Sequence, residues 1–394
     1  MFITPLNLCS NLKAKVCGFR VVIGAARRYI FGEMAKQSLL MDLHGLNGAV
    51  FAERDGWVLP AHFGDPAGEY SAVRSSAGLV DLSRRGLLQF TGPDRLSFLQ
   101  GMLSNDLRTL QPFTGQYATI LTQQGKVVAD VRVLCAMNSF YLDFWESLKD
   151  KIIEHLNRYL VADEVEIADR SVEYTFISVQ GPRAESLLRT LVKNAELPAQ
   201  EKQHAMIAIE DAAVCVVRDD HGMAAFDLIV PVASAVGIAE RLTQAGKQFS
   251  AAWVGEDAQN ILRIEAGIPR YGVDFNEENL LLEVGIDHAV SFTKGCYLGQ
   301  EVIERIRSRG HVNKRLCGLL LDGTVPADAG DQLQVDGKDA GRMTSSVISP
   351  RLGRPIALGY VMKEYWEAGT KLSLRHSGAN IHTTVVKLPF PASP

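Results

Sequence analysis

Two stretches of the chain share one pattern, and that pattern decides the fold. Residues 87–103 read LLQFTGPDRLSFLQGML, and residues 175–191 read TFISVQGPRAESLLRTL. Each begins with a strand-like run, passes through Gly-Pro, and ends in apolar positions at helical spacing. Proline is favourable at the first position of a helix, because the N–H that it lacks would have no partner there. The repeat predicts two related α+β halves that pack against each other.

The C-terminal part of the chain has a different pattern. From Arg315 onward, short β-type runs such as LCGLLLDG and IALGYVM alternate with turns rich in Gly, Asp and Pro. Strands at such close spacing are typical of a small β-barrel or sandwich. We therefore expect an α+β module over residues 41–311 and a β-barrel over residues 312–394.

The composition indicates a globular protein with a large core. At roughly 100–200 residues per domain, 394 residues predict two or three domains. A net charge of −4 gives no reason to expect a nucleic-acid partner. No apolar run approaches the roughly 18 residues that a membrane span requires, so we expect no membrane partner either.

The sequence lacks the common cofactor and metal motifs. The six cysteines contain no C-x-x-C pair and no zinc-like spacing with histidine, so no metal site built by this chain alone is predicted. Neither dinucleotide nor P-loop glycine patterns occur, nor do the G-x-S-x-G and H-E-x-x-H motifs. Scattered cysteines favour a reducing compartment, so we expect a cytoplasmic protein.

Residues 1–40 form a basic extension that differs from the rest of the chain. They contain six Lys and Arg residues before Met41 and a single acid, Glu33. This bias suits a targeting segment, which would make the protein mitochondrial if it is eukaryotic. It also suits a start codon assigned too early, because a bacterial N-terminus could begin at Met34.

The stretch TKGCYLGQEVIE, residues 293–304, holds the first candidate for chemistry. Glycines on both sides of Cys296 permit a tight turn, and apolar spacing predicts a helix directly after it. A helix N-terminus together with Lys294 would stabilise a thiolate. The alternative is a buried and inert cysteine, which is the usual state of a free thiol.

Two further stretches carry candidate polar residues. LSNDL places Asp106 just after the helix of the first repeat, where Asn-Asp is ordinarily turn or cap chemistry. GIPRYGVDF brings Arg270, Tyr271 and Asp274 to a glycine turn. An aromatic ring beside charges suits a flat, partly anionic ligand, although a surface turn explains the same residues.

Three blocks together resemble the YgfZ-type folate-binding family. They are FTGPDRLSFLQGMLSNDL (90–107), the block from RIEAGIPRYG to KGCYLGQE within 263–316, and GRMTSSVISPRLGRPIALGYV (341–361), followed by VVKLPF (385–390). That family is related to the T-protein of the glycine cleavage system, an aminomethyltransferase. The resemblance implies three domains in a cloverleaf around a tetrahydrofolate channel, with a C-terminal β-barrel.

The resemblance also implies roles for particular residues. Asp106 falls where T-proteins place a carboxylate near the reacting nitrogen of folate, and it could orient the pterin or move a proton. Tyr271, Arg263 and Lys294 are the further expected folate-binding residues. Met223 occupies the place of a T-protein glutamate that grips the pterin ring. That departure counts against aminomethyl transfer.

Two functions follow as expectations. The first is a tetrahydrofolate-binding factor in iron–sulfur cluster assembly or repair, and thereby in tRNA modification, with Cys296 as a reactive thiol or a transient cluster ligand. Its partners would be iron–sulfur client or assembly proteins. The alternative is a tetrahydrofolate-dependent aminomethyltransferase that transfers a methylene group from an aminomethyl-lipoyl arm and releases ammonia.

Overall fold

The computed structural model describes residues 19–24, 27–32, 35–192, 195–376 and 378–391. Strands β1 (Phe19–Gly24) and β2 (Arg27–Gly32) pair antiparallel within the predicted basic extension. The remaining residues of that extension up to position 34 lie outside the described part of the chain. The interpretation of the segment as a wrong start or a targeting sequence therefore stays a prediction.

A small N-terminal layer precedes the first repeat. It consists of β3 (Lys36–Gln37), α1 (Met41–Leu46), β4 (Val50–Arg54), β5 (Trp57–His62) and α2 (Pro66–Ser75). The three strands form one sheet in the order β3-β5-β4. Asp65 caps α2 by accepting a hydrogen bond from the amide of Ala67, and Pro66 occupies the first helical position.

The first half of the module is a five-stranded sheet in the order β11-β7-β10-β9-β8. Its elements are β7 (Arg85–Thr91), α3 (Arg95–Met102), β8 (Thr114–Leu121), β9 (Val127–Cys135), β10 (Phe140–Trp145), α4 (Lys149–Asn157) and β11 (Glu166–Asp169). One face of this sheet buries its apolar side chains against α3 and α4.

The second half is a six-stranded sheet in the order β13-β14-β15-β12-β6-β16. Its elements are β6 (Gly78–Asp81), β12 (Tyr174–Gln180), α5 (Ala184–Arg189), β13 (His204–Ile209), β14 (Ala212–Asp220), β15 (Ala224–Pro231), α6 (Ala235–Gly246) and β16 (Ala252–Trp253). Its apolar face packs on α5 and α6. The two sheets also contact each other through a shared apolar cluster that includes Leu87, Leu134 and Phe176.

The two halves exchange strands. β6 precedes the first repeat unit but pairs with β12 of the second sheet, and β11 precedes the second unit but pairs with β7 of the first. Gly92 and Gly181 end the two repeat strands with φ of 99° and 109°. A side chain at either glycine would overlap a backbone carbonyl, of Glu164 and Val73 respectively. The same turn is therefore required twice.

The prolines of the repeat lie where the sequence did not predict them. α3 begins at Arg95 and α5 at Ala184, so Pro93 and Pro182 lie in the preceding turns and not at the first helical position. The prediction of two related α+β halves is nevertheless confirmed, because each Gly-Pro does join a strand to a helix.

A closed six-stranded barrel completes the fold in the order β17-β20-β19-β18-β21-β22. Its strands are β17 (Lys314–Leu321), β18 (Gln332–Val335), β19 (Lys338–Ser349), β20 (Arg354–Met362), β21 (Lys371–His376) and β22 (Ala379–Val386). The predicted C-terminal barrel is confirmed. The connection from the module contains α7 (Glu256–Glu265), α8 (Leu281–Val284) and α9 (Gln300–Arg309).

Buried carboxylates attach the barrel to the module. Glu265, at the end of α7, accepts hydrogen bonds from Tyr70 in the module and from Ser349 in the barrel. Asp274 accepts from Arg263 and from Thr344 of the barrel at 2.6 Å each. In the part of the chain that the structure describes, no helix is long and apolar enough to cross a membrane.

Candidate functional site

Asp106 lies on the loop that leaves α3. Its Oδ1 accepts hydrogen bonds from Gln100 Nε2 at 2.9 Å and from the amide of Arg108 at 3.1 Å. The second bond caps a short 3-10 helix over Leu107–Thr109. Both contacts end on the same oxygen, and Oδ2 of this half-buried carboxylate accepts no hydrogen bond from another described residue.

Lys294 joins the Asp106 loop to the cysteine-containing loop. It is buried, and its ammonium donates hydrogen bonds to the carbonyl oxygens of Gln100, Leu103 and Asn105 at 2.7, 2.7 and 2.8 Å. Burial lowers the pKa of Lys294 to about 8, although the Asp106 carboxylate acts in the opposite direction. The three protons of the ammonium are all used to fix the backbone around Asp106.

Cys296 is exposed and free, but it does not lie at a helix N-terminus. α9 begins at Gln300, four residues later, with Gly299 as its N-cap in the left-handed region at φ 86°. The expectation that the helix N-terminus stabilises a thiolate at Cys296 is therefore wrong, because the effect of the helix dipole falls off within the first turn. The loop therefore presents an exposed thiol two residues after Lys294, whose ammonium binds the Asp106 loop.

The residues after Cys296 hold this loop in place. Tyr297 is buried, and the amide of Leu298 donates to the carbonyl of Gly101 in α3 at 2.9 Å. Gln300 Oε1 accepts from the amide of Tyr297 at 3.3 Å, which supports the turn. Glu301 is exposed in the first turn of α9.

Arg263 lies in the last turn of α7, and Tyr271 lies on the segment between α7 and α8. The Tyr271 hydroxyl accepts a hydrogen bond from Lys151 at 3.0 Å, and its ring meets Phe275 edge-on. Burial, followed by the charge of Asp130, raises the pKa of Tyr271 to about 12. Arg263 pairs with Asp274 and donates to Asn260 at 2.8 Å. Its contacts stabilise the turn and the attachment of the barrel.

Met223 packs in an apolar environment. It lies against the cluster formed by Tyr70, Val73 and Leu262. This position therefore offers no polar group to a pterin ring.

A cluster of buried charges between the two sheets was missed by the sequence analysis. Arg132 of β9 pairs with Asp143 of β10 in its own sheet and with Asp219 and Asp227 of the opposite sheet. All four side chains are at least nine-tenths buried. The available signal in the sequence was a pair of charged residues within the otherwise apolar strand run VVADVRVLC, residues 127–135.

Further cations pair with the aspartates of this cluster. Lys202 pairs with Asp219, and His221 Nε2 lies 3.1 Å from Asp227. Burial would raise the pKa of Asp219, but Arg132, His221 and Lys202 lower it to about 2. Asp219, His221 and Asp227 are close enough to hold a metal ion. Arg132 and Lys202 already supply the balancing positive charge.

Next to this cluster, aromatic and polar groups connect β8 to the Asp106 loop. Tyr117 of β8 donates from its hydroxyl to Asp130 Oδ2 at 2.5 Å, and its ring stacks on His288 at 5.3 Å. The side-chain amide of Asn105 donates to the carbonyls of both Tyr117 and His288. Asp106, Lys294 and Cys296 are thus brought to one region, whereas Arg263 lies at the barrel attachment.

Comparison with known proteins identifies the family of this fold. Residues 40–294 match the model of the GCVT N-terminal domain, and residues 314–391 match that of the glycine cleavage T-protein C-terminal barrel domain. A solved structure of the glycine cleavage system aminomethyltransferase T from Bartonella henselae superposes with a TM-score of 0.82. It is 24% identical and covers 91% of this chain and 98% of its own, so it shows the fold.

Curated relatives are similar over nearly their whole length. An aminomethyltransferase of Rubrobacter xylanophilus is 32% identical over 90% of this chain and 94% of that protein. An aminomethyltransferase of a Nostoc species is 32% identical over 85% of this chain and 90% of that protein. These comparisons show the superfamily without confirming the YgfZ-type branch. The chain belongs to the glycine cleavage T-protein family.

Proposed function

We propose that this protein binds tetrahydrofolate beside the Asp106 loop and acts as an aminomethyltransferase. The observation that carries the proposal is the Asp106 carboxylate, in which Gln100 and Arg108 fix one oxygen while the other accepts no hydrogen bond from a described residue. The relatives named aminomethyltransferase, at 32% identity over most of the chain, support the same activity.

In the proposed reaction, the methylene carbon of an aminomethyl thioether becomes bonded to both N5 and N10 of tetrahydrofolate. The C–N bond to the amine and the C–S bond to the carrier break. One N–H proton of the folate leaves with ammonia, and the other returns to the thiolate of the carrier. Asp106 accepts the proton of the attacking nitrogen and passes it to a leaving group, as a positioned general base does.

The test is turnover with an aminomethyl-lipoyl carrier protein and tetrahydrofolate, read as ammonia release. Asp106→Asn should reduce kcat by about 10²–10⁴-fold, the usual contribution of a general acid or base. Asp42→Asn changes an exposed carboxylate on α1 and should leave turnover unchanged. Absence of turnover in the wild-type protein, or full turnover in Asp106→Asn, would contradict this function.

A second candidate is folate-linked iron–sulfur cluster assembly or repair, with its effect on tRNA modification. It is favoured by the exposed Cys296, which Lys294 places next to the Asp106 loop. The apolar packing of Met223 favours it as well, since it weakens the pterin-binding mode that the T-protein resemblance implies. Cys296 would contact a cluster or a client protein transiently.

Cysteine variants separate the two candidates. Cys296→Ser should abolish rescue of a strain that lacks a family member in cluster assembly while leaving aminomethyl transfer intact. Alkylation followed by peptide mass spectrometry should label Cys296 before Cys135, Cys215 and Cys317, because burial raises the pKa of each of these three thiols. Rescue by Cys296→Ser at the wild-type level would remove the second candidate.

A further inference from the structure

Three arginine side chains surround the indole ring of Trp145. Trp145 ends β10 and pairs with Arg85 at the start of β7, and Arg84 directly precedes that strand. The guanidinium carbons of Arg84, Arg85 and Arg270 lie 4.6, 4.8 and 5.3 Å from the centre of the ring. Each cation is attracted to the ring, but like charges at such close range repel one another. An arrangement of this kind requires anions close by.

Arg84 is a buried cation that the described contacts satisfy only in part. It is 6% exposed, and its Nη2 pairs with Glu256 Oε1 at 2.7 Å. Its Nε and Nη1, which carry most of the N–H donors of a guanidinium, have no hydrogen-bond partner among the residues that the structure describes. Burial lowers the pKa of Arg84, Glu256 opposes this effect, and the charge of Arg270 adds to it. Buried donors without partners are costly, so they point to a group that the chain does not supply.

The buried carboxylates beside the ring are each divided between two arginines. Besides its contact with Arg84, Glu256 pairs with Arg270 Nη1 at 3.2 Å. Asp143 pairs with Arg85 at 2.6 Å and also with an arginine of β9. Neither carboxylate is therefore available to the unpartnered nitrogens of Arg84.

A further carboxylate, that of Asp55, reaches the same arginines from the surface. Asp55 contacts Arg270 Nη2 from the turn between β4 and β5, and its side chain is 48% exposed. Asp55 and Gly56 have φ of 51° and 75°, as the two central residues of a type I′ turn do. The charge of Asp55 also acts on Arg84. Because exposed ion pairs contribute little to stability, another anion can displace this carboxylate.

We propose that Arg84, Arg85 and Arg270 form, around Trp145, a binding site for an oxyanion, namely a carboxylate or phosphate group of a small molecule, and that Asp55 closes its entrance. Guanidinium groups bind both kinds of oxyanion through charge-assisted hydrogen bonds. The oxyanion replaces the Asp55 carboxylate at Arg270, and movement of the turn opens the way to the unpartnered N–H groups of Arg84. None of the residues assigned to the proposed folate site contributes to it, so the inference does not rest on the proposed function.

Calorimetric titration of the full chain with sodium phosphate and with sodium acetate, at an ionic strength held constant with NaCl, tests the inference. Asp55→Asn removes the competing charge and should bind the oxyanion about two- to fivefold more tightly than the wild-type protein. Asp336→Asn is the matched control, because Asp336 and Gly337 form a turn with φ of 50° and 75° between β18 and β19, and Asp336 is exposed. This control should bind as the wild type does.

Arginine variants test the other side of the site. Arg84→Lys keeps a cation opposite Glu256 but loses the planar set of donors, so its affinity for the oxyanion should fall by about tenfold or more. Arg158→Lys, which changes an exposed arginine on α4, should leave the affinity unchanged. The thermal midpoint of each variant without added anion shows whether the fold is intact. Asp55 is exposed, so its variant keeps the test valid whatever the stability of Arg84→Lys.

The two titrants identify the ligand group. Tighter binding of phosphate indicates a phosphoryl group, and tighter binding of acetate indicates a carboxylate. Saturable binding of either one that strengthens in Asp55→Asn and weakens in Arg84→Lys supports the inference. Absence of saturable binding to Asp55→Asn, or equal affinities of folded Arg84→Lys and wild type, would overturn it, and water would then be the partner of the Arg84 donors.

Discussion

The ammonium of Lys294 donates a 2.8 Å hydrogen bond to the carbonyl oxygen of Asn105, the residue that precedes Asp106. Lys294 also lies two residues before Cys296 in the same loop. The two candidate reactive groups, which are far apart in the sequence, therefore share one buried contact. A change on either loop is expected to affect the other.

Replacing Lys294 should disturb the site more than the rest of the fold. Lys294→Met leaves three backbone carbonyls without their donor, and we expect the free energy of unfolding to fall by about 2–4 kcal/mol, since each unpaired buried acceptor costs about 1–3 kcal/mol. Tetrahydrofolate affinity should fall as the Asp106 loop loosens. Lys363→Met, on the barrel surface, should change neither quantity in denaturation and binding measurements. Unchanged stability in Lys294→Met would contradict the role of the contact.

The two glycines that flank Cys296 should differ in their tolerance of alanine. Gly299 has φ 86°, and a Cβ there would lie 2.6 Å from the carbonyl oxygen of Thr122. Gly299→Ala should lower the free energy of unfolding by about 2 kcal/mol or more, since the left-handed conformation alone costs about 1–2 kcal/mol. Gly295 has open space around its Cβ position, so Gly295→Ala should stay within about 0.5 kcal/mol of wild type. Equal effects in urea denaturation would argue against this geometry.

Arg132 should be the costliest single residue of the central charge cluster. Arg132→Met leaves Asp143, Asp219 and Asp227 buried without their shared cation, and we expect a loss of about 3–5 kcal/mol in the free energy of unfolding. Arg158→Met removes a surface pair with Glu154 and should cost at most about 1 kcal/mol. Chemical denaturation compares the two, and similar losses would refute the proposed importance of the cluster.

His204 should make the protein sensitive to acid. This residue is 5% exposed at the start of β13, and burial lowers the pKa of its imidazole to about 4, although the carbonyls of Lys202 and Cys135 oppose the shift. The unfolded chain binds a proton near pH 6.5, so the unfolding free energy should fall by about 3 kcal/mol as the pH drops from about 6.5 to 4. His204→Gln should remove that part of the pH dependence, whereas His382→Gln, on an exposed position, should retain it.

His204 also shows what local sequence could not indicate. It lines a cavity of about 480 Å³ together with Phe113 and Met206, and none of the predicted site residues lines this cavity. The strand pattern predicts β13 but not which loops will lie over it. That arrangement depends on the amide of His204 bonding the carbonyl of Phe113, which belongs to the first half of the module.

The sequence by itself determined the repeated strand–turn–helix unit and the barrel, because glycine turns, apolar periodicity and strand spacing are local properties. It also identified Asp106, Lys294 and Cys296 as candidates. Only the tertiary structure decided that Lys294 holds the Asp106 backbone, and that Cys296 precedes α9 by four residues. The exchange of β6 and β11 was equally beyond the sequence, as were the aspartates that pair with Arg132 from the opposite sheet and the partly satisfied Asp130. Each of these depends on which strands meet across the two sheets, and strand pairing over long sequence separations leaves no local pattern to read.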